Sequence, residues 1–186
     1  HEKTKLVTIQ RSKGYDTRPT LSVEKIGELI AFIKQQKPDI ICMVDNCYGE
    51  FIEKIEPTQV GADLIVGSLI KNPGGGIAPT GGYICGKSKF IDMVAGRLTA
   101  PSIGLEVGSY AYGYKDFYQG IFIAPHTVAQ AIKGSMLIGQ VFHDLGFETM
   151  PLPGEKCGDI IRSIKFNTQA QLIDFCRAIQ EASPID

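Results

Sequence analysis

Apolar residues recur along this chain in two rhythms: short unbroken runs, and positions spaced by three and four. Residues 5–10, KLVTIQ, read as a strand, and the turn-like RSKGYDTRP after it carries Arg11, Tyr15 and Arg18. Ser22 then has the form of an N-cap, with Val23, Ile26, Leu29, Ile30 and Ile33 at helical spacing behind it until Pro38 ends the helix. The run IICMVD at 40–45 stops abruptly at Asp45, as a buried parallel strand does when it delivers its polar residues at the C-terminal edge of a sheet. Strand, helix and strand make one βαβ unit. Residues 50–61 leave a crossover too short for an average helix. A second apolar run, 62–70, ends in Lys71, Asn72, Pro73 and three glycines, which presents a lone lysine at a turn. GYIC at 82–85 reads as another strand, antiparallel to its neighbour because the connection is short and holds no helix.

Further along, Phe90, Ile91, Val94 and Leu98 take helical positions within 87–98. Residues 99–125 read as loop, with Tyr110, Tyr112, Tyr114 and Tyr118 among glycines, a composition that suits an active-site wall, a subunit contact or a packed surface loop. A long helix is expected over 126–145 with Gly146 as its C-cap. It would link a domain at 1–125 to a second, smaller one at 126–186. In the latter, residues 159–166 read as a strand of alternating burial, and Thr168 caps a helix through Leu172, Phe175, Cys176 and Ile179.

Composition narrows the function classes. With 44% hydrophobic and 21% charged residues in 186, the chain has the make-up of an ordinary soluble globular protein. A net charge of −1, without runs of like charge, offers nothing to attract nucleic acid or an anionic membrane face. Uninterrupted apolar runs are a handful of residues, short of the roughly 20 a spanning helix needs, so no membrane segment is expected. The five cysteines (Cys42, Cys47, Cys85, Cys157, Cys176) form no CxxC pair and sit in mostly apolar settings, which reads as reduced cytoplasmic thiols. His126 and His143 lie 17 apart, not at a metal-binding spacing, and no metal is expected.

The candidate chemistry lies between Val44 and Gly86. Asp45 at one strand end and Lys71 at the next turn suit a cofactor that needs a covalent amine and a counter-ion. Pyridoxal 5'-phosphate is such a group, held as a Schiff base and through its pyridinium nitrogen. Tyr48, three residues past Asp45, could place its phenol near the cofactor's ring oxygen, and Ser68, three before Lys71, could offer its hydroxyl to the phosphate. Three consecutive glycines at 74–76 resemble a phosphate cradle but lack both the GKS or GKT ending of a nucleotide loop and the GxGxxG spacing. Arg11 and Arg18 read equally as solvated turn arginines or as anion ligands.

The words VDNCYGEF and GADLIVGSLIKNPGGGIAPTGGYI, with QRSKGY, RLTAP and YQGIFIAPH, resemble the methionine gamma-lyase-like, aluminium-resistance family of fold type I pyridoxal-phosphate enzymes. The resemblance spans nearly the whole chain. It implies an α/β fold: a large domain with a mostly parallel sheet flanked by helices, plus the start of a smaller α+β C-terminal domain. Fold type I enzymes are larger than this chain, which therefore resembles an internal piece. The implied activity is that of a carbon–sulfur lyase acting on cystathionine, methionine or a related amino acid by α-proton abstraction and elimination. Another pyridoxal-phosphate lyase such as an aldolase, and a non-catalytic metal-tolerance protein, are the alternatives. The resemblance also places Gln10 and Arg11 beside the cofactor, alongside Lys71, Asp45, Ser68 and Tyr48, and implies a homodimer or homotetramer with shared active sites.

Overall fold

The computed structural model describes residues 2–184. Four strands form its main sheet in the order β1-β2-β3-β4: β1 (Leu6–Gln10), β2 (Ile41–Asp45), β3 (Leu64–Ser68) and β4 (Gly82–Gly86). The first three run parallel and β4 is antiparallel to β3, as its short connection requires. Helix α1 (Val23–Gln36) connects β1 to β2, and the Ser22 side chain accepts from the Lys25 backbone N–H at its start.

Side chains alternate across each strand, and one face of β1–β3 packs on α1. Cys42 and Val44 of β2 are fully buried there with Ile26 and Ile30 of the helix, beside Ile9, Ile40, Ala62 and Ile65. The crossover at 50–61 contains only a single 3-10 turn, Pro57–Val60, opened by a reciprocal Glu56–Gln59 cap.

Helix α2 (Ser88–Leu98) follows β4 as its apolar spacing predicts. The next helix departs from expectation. Helix α3 (Lys115–Asp144) starts eleven residues before His126 and carries Pro125 in its interior. Proline lacks the N–H that would reach back one turn, so it reads in sequence as a stop, yet here the helix runs through it. By length and composition this 30-residue helix, with a mean hydropathy of 1.2 over 18 residues, is apolar enough to cross a membrane. The count of unbroken apolar runs missed it because Gly, Ser, Thr and Gln interrupt every run. A core helix of a soluble protein meets the same test.

The chain divides into two compact units. One runs to Ile132 and takes in Cys157–Ile161; the other comprises Lys133–Lys156 and the chain from Arg162 onward. In the second unit β5 (Glu148–Met150) pairs antiparallel with β6 (Ser163–Lys165), and α4 (Gln169–Ala182) begins at a Thr168–Gln171 capping box. The rings of Phe142, Phe147, Phe166 and Phe175 form its aromatic cluster. The strand expected over 159–166 is thus confined to its last part, and Asp159–Ile161 belongs to the first unit.

Candidate active site

The C-terminal edge of the main sheet gathers the residues singled out in the sequence. Gln10 and Asp45 are register partners on β1 and β2, and Asp45 is in turn the partner of Val66 on β3. Residues in register on neighbouring strands share a face, and Ser68, two past Val66, returns to it. Gln10, Asp45 and Ser68 therefore line one face of one edge. The Asp45 carboxylate accepts from the Cys47 backbone N–H at 3.1 Å, and among the described residues no cation pairs with it.

Arg11 and Asn46 come one position later and turn to the opposite face by the same alternation. Arg11 is fully buried, its guanidinium donating to Asn46 Oδ1 at 2.9 Å and Glu53 Oε1 at 3.1 Å, with Glu56 at 3.5 Å. Glu53 Oε1 also accepts from the Val23 N–H that opens α1. The charge of Arg11 is neutralised inside the fold, where it ties the site's strand ends to α1. Arg18, half-buried, is spent on the backbone carbonyls of Gln10 and Ser12, at 2.9 and 2.7 Å, and organises the turn between them.

Two loops complete the edge. The first, 46–51, holds Tyr48 and Phe51 at positive φ, 69° and 63°, a conformation that costs a side chain energy and persists only where neighbours enforce it. The second is the Lys71 turn. Asn72, buried, donates its side-chain N–H to the Glu50 carbonyl at 3.0 Å and so bolts the two loops together. Gly75, three positions on, serves packing: it has φ 58° and lies so close to the Gly120 carbonyl of α3 that a Cβ would collide with it. Thr127 Oγ1 donates to the Gly75 carbonyl at 3.3 Å, securing the same contact.

Lys71 Nζ stands 4.3 Å from the centroid of the Tyr48 ring, within cation–π range, and among the described residues no carboxylate pairs with it. Burial lowers its proton affinity, but the neighbouring Cys47 thiol and Tyr48 phenol outweigh that and raise it above the ordinary lysine value. Burial pushes the Cys47 thiol up, and the Asp45 carboxylate beside it pushes the same way. Ser68 Oγ accepts from the Ile70 N–H at 3.3 Å, which leaves its own hydrogen to donate. Lys71, Tyr48, Asn72, Ile70, Thr127, Val128, Ala131 and Ile160 line a cavity of about 290 Å³. Of the tyrosines near the start of α3, Tyr112 and Tyr118 are exposed, and Tyr110, Tyr114 and Phe117 form a ring cluster.

Behind the two loops lies a buried acid that sequence reading passed over. Glu50 Oε1 accepts from the Tyr83 hydroxyl at 2.8 Å, while its Oε2 is buried without a hydrogen-bond partner among the described residues. Burial drives this carboxyl up from its ordinary 4.5 to about 7, against the lowering effect of the Tyr83 bond. The folded state then holds the proton more tightly than the unfolded chain. The resulting stability is complete below pH 4.5 and is lost as pH rises to about 7, for a total of about 3 kcal/mol at most. Glu50→Gln is therefore expected to melt above the parent at pH 8 and to lose that advantage at pH 5. Denaturation at both pH values checks this, and parallel profiles would refute it.

The family model described as methionine gamma-lyase matches residues 1–186. A relative from Bacillus subtilis (strain 168), described as uncharacterized protein YnbB, is 50% identical over 99% of this chain and 44% of its own length. A structure from Listeria monocytogenes, provisionally described as a cystathionine beta-lyase involved in aluminium resistance, superposes with TM-score 0.95 at 49% identity. That match covers 100% of this chain and 46% of the other. A carbon-sulfur lyase involved in aluminium resistance, from Clostridium novyi NT, gives TM-score 0.93 at 52% identity over 100% and 44%. The chain thus spans about half the length of the relatives it matches.

Proposed function

Because the chain belongs to the methionine gamma-lyase family, we propose that it forms part of a cytoplasmic pyridoxal-phosphate-dependent carbon–sulfur lyase that breaks a sulfur amino acid by α-proton abstraction and elimination. One observation carries this reading: a carboxylate without a cationic partner at the end of β2 and an amine without a carboxylate partner in the turn after β3 stand at one sheet edge, an arrangement a purely structural edge would neutralise by pairing.

Those residues fit the cofactor. When bound, it supplies an electron sink for charge developing at the substrate's α-carbon. Lys71 Nζ would hold it through its carbonyl carbon and, once displaced by the substrate amine, take the α-proton. Asp45 would keep a proton on the ring nitrogen, because a carboxylate beside that atom favours its charged form. Tyr48 holds the Lys71 amine over its ring and presents its phenol to the same cavity. Ser68 has a hydrogen to donate to the phosphate, and Gln10 stands beside Asp45 at the same edge. The exposed Tyr112 and Tyr118 suit a contact with a second copy that completes each site.

The reading is tested on the protein at its full natural length. It is expected to show a visible absorption band with pyridoxal phosphate, and to release thiol and a 2-oxo acid from a sulfur amino acid while leaving threonine and alanine intact. Glycine release from threonine instead would point to aldol cleavage.

A further inference from the structure

The loop at 46–51 and the Lys71 turn meet at one residue, Glu50. Asn72, next in sequence to Lys71, donates from Nδ2 to the Glu50 carbonyl at 3.0 Å. Tyr48, whose ring faces Lys71 Nζ, is two positions before Glu50. Tyr48 and Phe51, on either side of Glu50, hold positive φ, so the loop keeps its course only while something anchors it. The buried Glu50 side chain is that anchor: its Oε1 accepts from the Tyr83 hydroxyl of β4 at 2.8 Å. It lies so close to Gly67 of β3 that a Cβ there would collide with both Glu50 Oε1 and the Tyr83 ring. A glycine one position before Ser68 thereby makes room for the Glu50–Tyr83 pair.

This anchor suits a neutral acid. Glu50 Oε2 is buried without a hydrogen-bond partner among the described residues, so a negative charge on it would be neither solvated nor paired. The ionisable groups around it supply no free counter-ion. Arg11, just past the end of β1, favours the charge but is committed to Asn46 and Glu53 and lies 3.5 Å from Glu56. Glu56, from the crossover, opposes it with like charge, and burial prevails. On β4, burial and the Glu50 carboxyl push the Tyr83 hydroxyl well above its ordinary value, which keeps it a donor.

We propose that Glu50 is a positioning residue of the lyase site: its protonated carboxyl, lodged between Tyr83 and Gly67, fixes the loop that carries Tyr48 to the turn that carries Lys71, and ionisation of that carboxyl loosens both and slows turnover. The proposal rests on the lyase reading and adds to it a residue that acts through the two loops.

The test uses the protein at its full natural length, loaded with cofactor. It follows kcat and KM for a sulfur amino acid from about pH 6 to 9, beside cofactor content and melting temperature. The parent's kcat is expected to fall several-fold as pH rises past about 7, with KM little changed. Glu50→Gln, whose amide keeps the shape and a donor of the protonated acid but cannot ionise, should match the parent's low-pH kcat and lose that fall. Glu50→Ala should lose kcat roughly ten- to a hundredfold at every pH while keeping its cofactor, because Tyr48 and Lys71 shift relative to each other while the lysine remains. Tyr83→Phe removes the bond that lowers the Glu50 proton affinity, so it should move the fall to higher pH, and it serves where the alanine variant does not fold. A Glu50→Gln profile that keeps the parent's fall, or a Glu50→Ala protein with the parent's kcat, overturns the inference. A Glu50→Ala loss of kcat matched by equal loss of cofactor also overturns it and marks Glu50 as a residue of the fold alone. Borohydride reduction and peptide mapping accompany each variant. With a pyridoxyl mass on the parent's Lys71, these outcomes bear on Glu50 alone; without it, the lyase reading falls and the inference with it.

Discussion

Lys71→Arg is expected to abolish covalent cofactor attachment and to lower turnover on the order of 10³-fold or more, since acid–base transfer alone is worth about 10²–10⁴-fold. The substitution isolates chemistry from charge. Arginine keeps the positive charge and stacks well on an aromatic face, so the contact now made 4.3 Å above Tyr48 survives in kind. It cannot lose its proton near neutral pH, so it can neither attack a carbonyl carbon nor take a proton from a substrate. The fold should tolerate the change, because the turn is held by Asn72, Gly75 and Thr127 rather than by the lysine side chain. The measurement is borohydride reduction with peptide mapping on parent and variant, beside steady-state turnover. A pyridoxyl mass that persists on another lysine, with turnover intact, would remove Lys71 from the role.

Much of this site was legible because strands and turns announce themselves locally. An apolar run that ends in Asp45 and another that ends in Lys71-Asn72-Pro73 each fix a sheet-edge position within a few residues, and the observed edge holds both. The antiparallel β4 followed from connection length alone.

What stayed hidden was tertiary. The glycines at 74–76 gave no local sign of their partner, since Gly120 lies about 45 positions away on a helix that Pro125 made look like a loop. The side of the sheet to which Arg11 turns depends on where β1 ends, and shifting a strand end by one residue exchanges the faces. Asp159 was read into a strand because its apolar neighbours alternate. What places it instead are the Ser12 and Thr20 hydroxyls, some 140 positions earlier. Glu50 looked like one more surface acid in a short crossover until Tyr83 and the loss of solvent showed otherwise.

Asp45→Asn is the second large expected effect, and it falls on rate rather than on structure. The asparagine amide oxygen can still accept from the Cys47 N–H, as Asp45 Oδ1 does at 3.1 Å, so the turn that leads to Tyr48 keeps its local bond. Cofactor attachment should persist, because Lys71 and Ser68 are untouched. What is lost, on the proposed reading, is the negative charge that would hold a proton at the ring nitrogen. Without it the electron sink weakens just when charge builds at the α-carbon, and loss of one such preorganised interaction costs roughly 10²–10³-fold in turnover. A fall in kcat with an unchanged melting temperature and a near-parental cofactor titration is the expected pattern; equal loss in all three would instead mark Asp45 as a structural residue. Near-normal turnover would mean that another group holds that proton. Gln10, its partner in register, cannot replace it, since an amide carries no charge with which to favour the protonated ring.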